Sequence, residues 1–273
     1  MLRSQAGPGA SHWMRARPTC PALTIRPVRM QVALRRRLRW PMPLGPRQCN
    51  GPSCRRPLDP LGDHWTSCTK SGRIKRRARP YERMWARVCR EAGARVLENV
   101  PVREMGLAGV VPTDGRRLEI VATGLPLHRG VPLALDASIV APLHADGRPW
   151  PHAARRDGAA LARAAQTKDR TYPELVGSPV VRLVTVACET GGRLCAAARD
   201  LLRGMATARA RAAPTLLRRA TAAAWLSRWT ALLSVSVQDA LASTLVDDAP
   251  LLLDGADAEP PTLTDVWVEG LRG

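Results

Sequence analysis

Residues 117–140 read RLEIVATGLPLHRGVPLALDASIV. Two apolar runs, 117–122 and 131–140, flank a centre that holds Gly124, Pro126 and Gly130. Runs of that length, separated by turn formers, predict two neighbouring strands joined by a hairpin-like loop. Each strand carries one carboxylate, Glu119 and Asp136. Asp136 stands inside L-A-L-D-A-S-I-V, where a charge is tolerated only if it is paired or holds a cation.

Outward from this stretch, 95–100 predicts a third strand. Before it, 80–92 (PYERMWARVCREA) predicts a helix with Met84, Trp85, Val88 and Cys89 on one face, and Gly93 suits its C-cap. On the other side, 153–171 is an alanine-rich helix, 179–187 (PVVRLVTVA) a β-branched buried strand, and 193–210 and 214–245 are helical. Three successive strands followed by a crossover helix predict an α/β fold, a small mixed β-sheet flanked by helices.

The chain of 273 residues has a formal net charge of +19 and a pI near 11.3. Clustered cations gain affinity for nucleic acid by releasing its condensed counterions, so the charge predicts DNA, or RNA, as a partner. An arginine-favouring codon bias is the alternative source of the charge. Segregation speaks against it: no acidic residue precedes Asp59, whereas 247–273 includes Asp247, Asp248, Asp254, Asp257 and Glu259. The candidate backbone contacts are Arg35, Arg36 and Arg37, in a short basic helix over 30–40, and Arg73, Lys75, Arg76 and Arg77. Phenylalanine is absent and tyrosine is limited to Tyr81 and Tyr172, which argues against an RNA-recognition sheet of stacking aromatics. No apolar run is long enough for a membrane span, and no secretory signal opens the chain. An intracellular, nuclear protein is the expectation.

Cys49, Cys54, His64 and Cys68 form C-x4-C-x9-H-x3-C. Four soft ligands with a close pair at each end suit a structural Zn²⁺, and Pro52, Gly62 and Asp63 supply the turns between them. The segment is too polar to fold alone, so metal binding would provide its folding free energy. Incidental cysteines in a loop are the alternative. Cys20, Cys89, Cys188 and Cys195 read as a loop thiol and three small buried residues.

A second constellation comprises Glu98, Glu119, Asp136, Lys168 and Tyr172. Two carboxylates converging at a sheet edge are what a Mg²⁺ (or Mn²⁺) site requires. Lysine is scarce, with only Lys70, Lys75 and Lys168, and a compact ammonium can orient water or hold a phosphate in ways arginine cannot. Tyr172 follows Lys168 by four residues, on the same helical face. The plainer alternatives are a solvated Lys168, a helix-end packing role for Tyr172 and ion-paired strand carboxylates.

The succession of L-D-P-L-G-D-H within the Cys/His cluster, R-R-A-R-P-Y-E-R-M-W, R-E-A-G-A-R-V, R-R-L-E-I-V-A-T-G-L-P-L, L-A-L-D-A-S-I-V-A-P-L and K-x3-Y-P-E-L resembles a known region. It is the C-terminal part of non-LTR retrotransposon proteins of the kind abundant in dinoflagellate genomes, where a zinc knuckle precedes a restriction-endonuclease-like PD-(D/E)XK domain. The resemblance spans 28–245. It implies an αβββαβ core, a Mg²⁺-dependent DNA endonuclease activity and a reverse-transcriptase region as partner. It places Glu119 at the first metal-binding acid, Asp136 at the second, and Ser138 where many such nucleases keep a lysine that Lys168 replaces. Glu98 and Tyr172 take supporting catalytic roles. Glu119 is one methylene longer than the usual aspartate and lacks the preceding proline. The alternative is a catalytically inactive nucleic-acid-binding remnant. The expected organisation is a disordered basic N-terminus over 1–27, basic helix and zinc knuckle over 28–72, nuclease-like core over 79–210, a C-terminal helical segment over 211–246 and an acidic tail over 247–273.

Overall fold

The two runs within 117–140 pair antiparallel, with Ile120 opposite Leu135 and Ala122 opposite Leu133. A computed structural model describes residues 1–42 and 48–246, so the expected acidic tail over 247–273 lies outside the described residues. In chain order the elements are α1 (Leu2–Gln5), α2 (His12–Arg15), α3 (Pro27–Leu38), α4 (Asp63–Ser67), α5 (Arg73–Glu91), β1 (Arg95–Pro101), β2 (Arg117–Thr123), β3 (Leu133–Val140), α6 (Ala159–Thr171), β4 (Arg182–Glu189), α7 (Ala196–Ala210) and α8 (Arg218–Val246). The sheet runs β1-β2-β3-β4. Its first two pairings are antiparallel, and β3 pairs with β4 in parallel from Leu133↔Arg182 to Val140↔Glu189. A parallel pair needs a crossover, and α6 provides it. The protein is therefore mixed α/β with a four-stranded mixed sheet.

Alternation along β3 separates two faces. Leu133, Leu135, Ala137 and Ile139 join Tyr81, Trp85 and Val88 of α5, Met205 of α7 and Trp229 of α8 in the main core. Ala134 joins Val121, Leu118, Tyr172 and Leu175 in a second cluster on the other face, beneath α6. Leu118 and Ile120 have the same parity yet enter different clusters, so β2 twists between them, at Glu119. The register puts Asn99, with φ of +57°, opposite that position.

Three expectations change. The helix predicted to begin at Pro80 begins at Arg73 and carries Pro80 inside it. The amide bond that proline forfeits is offset by tertiary anchors on the first two turns: Arg73 stacks on Trp65 at 3.7 Å and donates to Asn50, while Arg77 donates to the carbonyls of Thr66 and Ile139. The segment 1–27, expected to be disordered, docks on α8. Trp13 and Ile25 pack with Ala33 and Val235, the Trp13 amide donates to Ser234 Oγ (3.0 Å), and Ser234 Oγ donates to the Gly9 carbonyl. Polar ties add to these apolar anchors: Ser4 Oγ accepts from the Gly191 amide, and the Pro8 carbonyl from the Leu194 amide. The predicted helix over 153–171 starts only at Ala159, after Gly158 with φ of +73°.

The helices after residue 193 dock on the sheet. Trp229, Leu232, Leu233, Val237 and Leu241 of α8 are buried in the main core. At about 1.5–3 kcal/mol for each fully buried aliphatic side chain, that contact holds the helix firmly. Glu91, at the end of α5, accepts from Arg228 and from the Trp229 indole N–H at 3.0 Å each. No helix among the described residues is long and apolar enough to cross a membrane.

Candidate active site and metal centre

Asp136 sits mid-strand on β3 with no solvent exposure, on the face covered by α6. Lys168, in the last turn of α6, brings its Nζ to 2.6 Å from Asp136 Oδ2. The approach lies outside hydrogen-bonding geometry, so Oδ2 keeps no hydrogen-bond partner. Ser138 Oγ donates to Oδ1 at 3.1 Å. Glu119, on the neighbouring strand, has a buried Oε2 that also lacks a partner. Burial, and then the charge of Asp136, pushes the Glu119 carboxyl up to about 7, with Lys168 opposing. Neither carboxylate pairs with an arginine among the described residues.

Tyr172 caps the C-terminal end of α6, and its hydroxyl donates to the Arg117 carbonyl at 2.9 Å. Arg116 lies over the same ring at 5.6 Å, ion-pairs with Asp114 and Glu174, and donates to the Thr171 carbonyl. These bonds pin the end of α6 to the start of β2, close to where Lys168 reaches Asp136. Tyr172 thus ties the two elements together through its hydroxyl. Burial, and then the charges of Asp136 and Glu119, raises its hydroxyl well above the ordinary range.

Glu98 is not brought to this site. Its partner in the ladder is Ile120, on the α5 face, and its exposed carboxylate pairs with Arg90 of α5 at 2.5 Å. Glu82 of α5 instead faces the same field: burial, and then Asp136, raises its carboxyl. A sequence signal for Glu82 exists, because it precedes Trp85, Ala86 and Cys89 by three, four and seven residues and shares their buried helical face.

The arginine clusters divide. Arg36, Arg73 and Arg77 are buried and direct guanidinium donors to Gly62, Asn50, Thr66 and Ile139, so they add no charge to the exposed surface on which the sequence reading placed them. Helical spacing puts one side of a basic run inward, where the long arginine stem packs while its donors meet carbonyls. Lys75 and Arg76 are exposed, with Arg79 and Arg83 further along α5. Arg35 and Arg37 are half-buried and donate to the carbonyls of Pro41 and Gln5.

Cys49, Cys54, His64 and Cys68 converge, with all four ligand atoms within 4.8 Å of one another. Cys49 Sγ lies 3.8 Å from Cys68 Sγ, and Cys54 Sγ 3.5 Å from His64 Nε2. A tetrahedral zinc with Zn–S of about 2.3 Å and Zn–N of about 2.0–2.1 Å separates its ligands by about 3.8 and 3.5 Å. The cluster can therefore hold zinc. Asp59 organises the approach by accepting from the amides of Leu61, Asp63 and His64 at the start of α4. His64 Nδ1 lies 2.7 Å from the Ala145 carbonyl, which can only accept, so Nδ1 carries the proton and Nε2 is free to ligate.

Comparison with known proteins adds no family: no protein-family model matches the chain, and no curated protein is similar to it in sequence.

Proposed function

We propose that the protein is a metal-dependent DNA endonuclease of the restriction-endonuclease-like PD-(D/E)XK type, with Asp136, Glu119 and Lys168 at its catalytic centre. One observation carries the reading. Asp136, fully buried, and Glu119, half-buried on the neighbouring strand, each keep a buried oxygen without a hydrogen-bond partner, and the crossover helix delivers Lys168 to Asp136. The element order α5-β1-β2-β3-α6-β4 supports it, being the αβββαβ order of that class.

A hard divalent cation fits this oxygen donor set, which Glu119 and Asp136 would provide with Glu82 nearby. When bound, Mg²⁺ or Mn²⁺ supplies charge that stabilises the pentavalent phosphate and lowers the pKa of the attacking water. Lys168 holds the scissile phosphate or its water by an ammonium donor, and Ser138 fixes the Asp136 carboxylate. Lys75, Arg79 and Arg83 recur every four residues on the exposed side of α5, a stripe suited to a DNA backbone, where binding weakens steeply with salt. The Cys₃His cluster acts as a structural zinc knuckle, with four protein ligands leaving no open position.

A second reading, a non-catalytic nucleic-acid-binding protein, is favoured by the 2.6 Å ion pair, since Lys168 already neutralises Asp136 without an ion. Nicking of supercoiled plasmid separates the two. The nuclease reading expects Mg²⁺- or Mn²⁺-dependent nicking that Asp136→Ala abolishes. Salt-sensitive DNA binding without nicking by either protein would establish the second reading.

A further inference from the structure

Beside the carboxylates lies a cavity of about 290 Å³, between the first half of α5, the end of β3 and α6. Its walls are largely apolar, from Ile74, Ile139, Leu143, Trp150 and Ala164. Lys168 and Ser138 line it and also contact Asp136, so the cavity adjoins the candidate site. Trp150 is held in place by Arg163, 3.4 Å from its ring, and by the His144 ring at 3.3 Å, and it forms a rigid part of the wall.

Arg77 also lines this cavity. The residue is 2% exposed, has no acidic partner among the described residues and leaves Nε without a hydrogen bond. Two carbonyls satisfy its terminal nitrogens but contribute no countercharge. A buried cation without a counterion is strongly disfavoured, and burial, then Arg36, lowers its pKa to about 9. An anionic group in the cavity relieves that penalty. The ligand must then combine an apolar ring-sized body with a negative charge, and the cavity lies at the lower end of the roughly 300–1,000 Å³ that ligand sites span. Its size admits one ring system and excludes a stacked pair.

We propose that this cavity is a slot for one unpaired nucleotide, with its base among the apolar side chains and its phosphate against Arg77 and Lys168. The proposal deepens the nuclease reading by naming an unpaired nucleotide as what sits beside Asp136. Such a slot favours DNA that is already open, frayed or single-stranded at the cut, where no pairing has to be broken. Its largely apolar walls select by shape, with Arg163 and the His144 ring already packed on the one aromatic side chain among them.

The test is calorimetric titration of the zinc-loaded full chain, without Mg²⁺, with deoxyadenosine 5′-monophosphate, deoxyadenosine and inorganic phosphate. Two variants fill the cavity from the helix that walls it, Ala164→Leu and Thr167→Leu, and thermal unfolding reports whether each folds. The slot predicts that the monophosphate binds at least tenfold more tightly than either component. It also predicts that a folded filled variant loses at least tenfold of that affinity. Equal affinity for monophosphate and phosphate, or undiminished binding in both variants, would overturn it. Because the titration omits Mg²⁺, nucleotide binding without any plasmid nicking would leave the slot standing and remove the nuclease. Nicking without nucleotide binding would do the reverse.

Discussion

Lys168 Nζ lies 2.6 Å from Oδ2 of Asp136, a carboxylate with no exposure, while the lysine side chain keeps 25% of its own. Among the described residues the ammonium is thus the one countercharge in contact with this buried anion, and it stands at the more exposed edge of the pair. Removing one partner of a buried pair leaves an uncompensated charge, whereas removing both does not. Lys168→Met should therefore destabilise the metal-free fold by about 3 kcal/mol, and Asp136→Asn combined with Lys168→Met should restore much of the loss. Urea unfolding of the two variants measures the difference. Equal stability of both would mean that the pair is not buried as described.

Glu119 makes the stability pH-dependent in a definite direction. Burial first, and Asp136 second, raises its carboxyl to about 7, against about 4.3 for an unfolded glutamate. The folded protein therefore holds a proton that the unfolded chain has released. This favourable contribution is fully present below about pH 4.3 and is lost as pH rises through about 7. Glu119→Gln should remove that slope and gain on the order of 2 kcal/mol at pH 8. Added Mg²⁺ at pH 8 should stabilise the native protein and leave the Gln variant unchanged. Denaturant titrations across pH 4–8 test both statements.

Zinc should be present at one ion per chain, measured by elemental analysis of the purified protein. Cys68→Ser should lose it. The hydrogen bond from His64 Nδ1 to Ala145 ties the cluster to the loop after β3. Hydrogen exchange in 141–150 should therefore rise when zinc is stripped, although no cluster ligand lies in that segment. Unchanged exchange there would uncouple the knuckle from the cavity wall.

Glu91 is the polar tie between α5 and α8, accepting from Arg87, Arg228 and Trp229. Glu91→Ala leaves the Trp229 N–H buried without an acceptor, a loss of about 2 kcal/mol. Tryptophan fluorescence during unfolding should report it. Zinc content should stay constant, because the cluster lies away from this contact.

The strands within 117–140 and the parallel run after them were legible because period-two alternation and β-branched content mark a buried sheet locally. Asp136 and Glu119 stood out because a carboxylate in an apolar strand is a local anomaly. Glu98 misled because a sequence does not say which face of a twisting sheet a residue takes. The burial of Arg36, Arg73 and Arg77 is hidden for a related reason: a basic run looks alike whether its arginines face solvent or carbonyls. The docking of 1–27 is hidden because its anchors are scattered: Trp13 and Ile25 find partners on α3 and α8, and Ser4 and Pro8 bond the loop before α7.

By itself, the sequence determined the element types, the Cys/His spacing and the presence of carboxylates where apolar residues belong, all of which are local properties of the chain. Tertiary structure alone decided which of those groups meet. Lys168 reaches Asp136 only because α6 crosses over to lay β4 beside β3 and Tyr172 locks its end to Arg117. The cavity lined by Arg77 exists only because three elements distant in sequence fail to close on one another there. Such meetings depend on packing and twist summed over the whole chain, which no local pattern encodes.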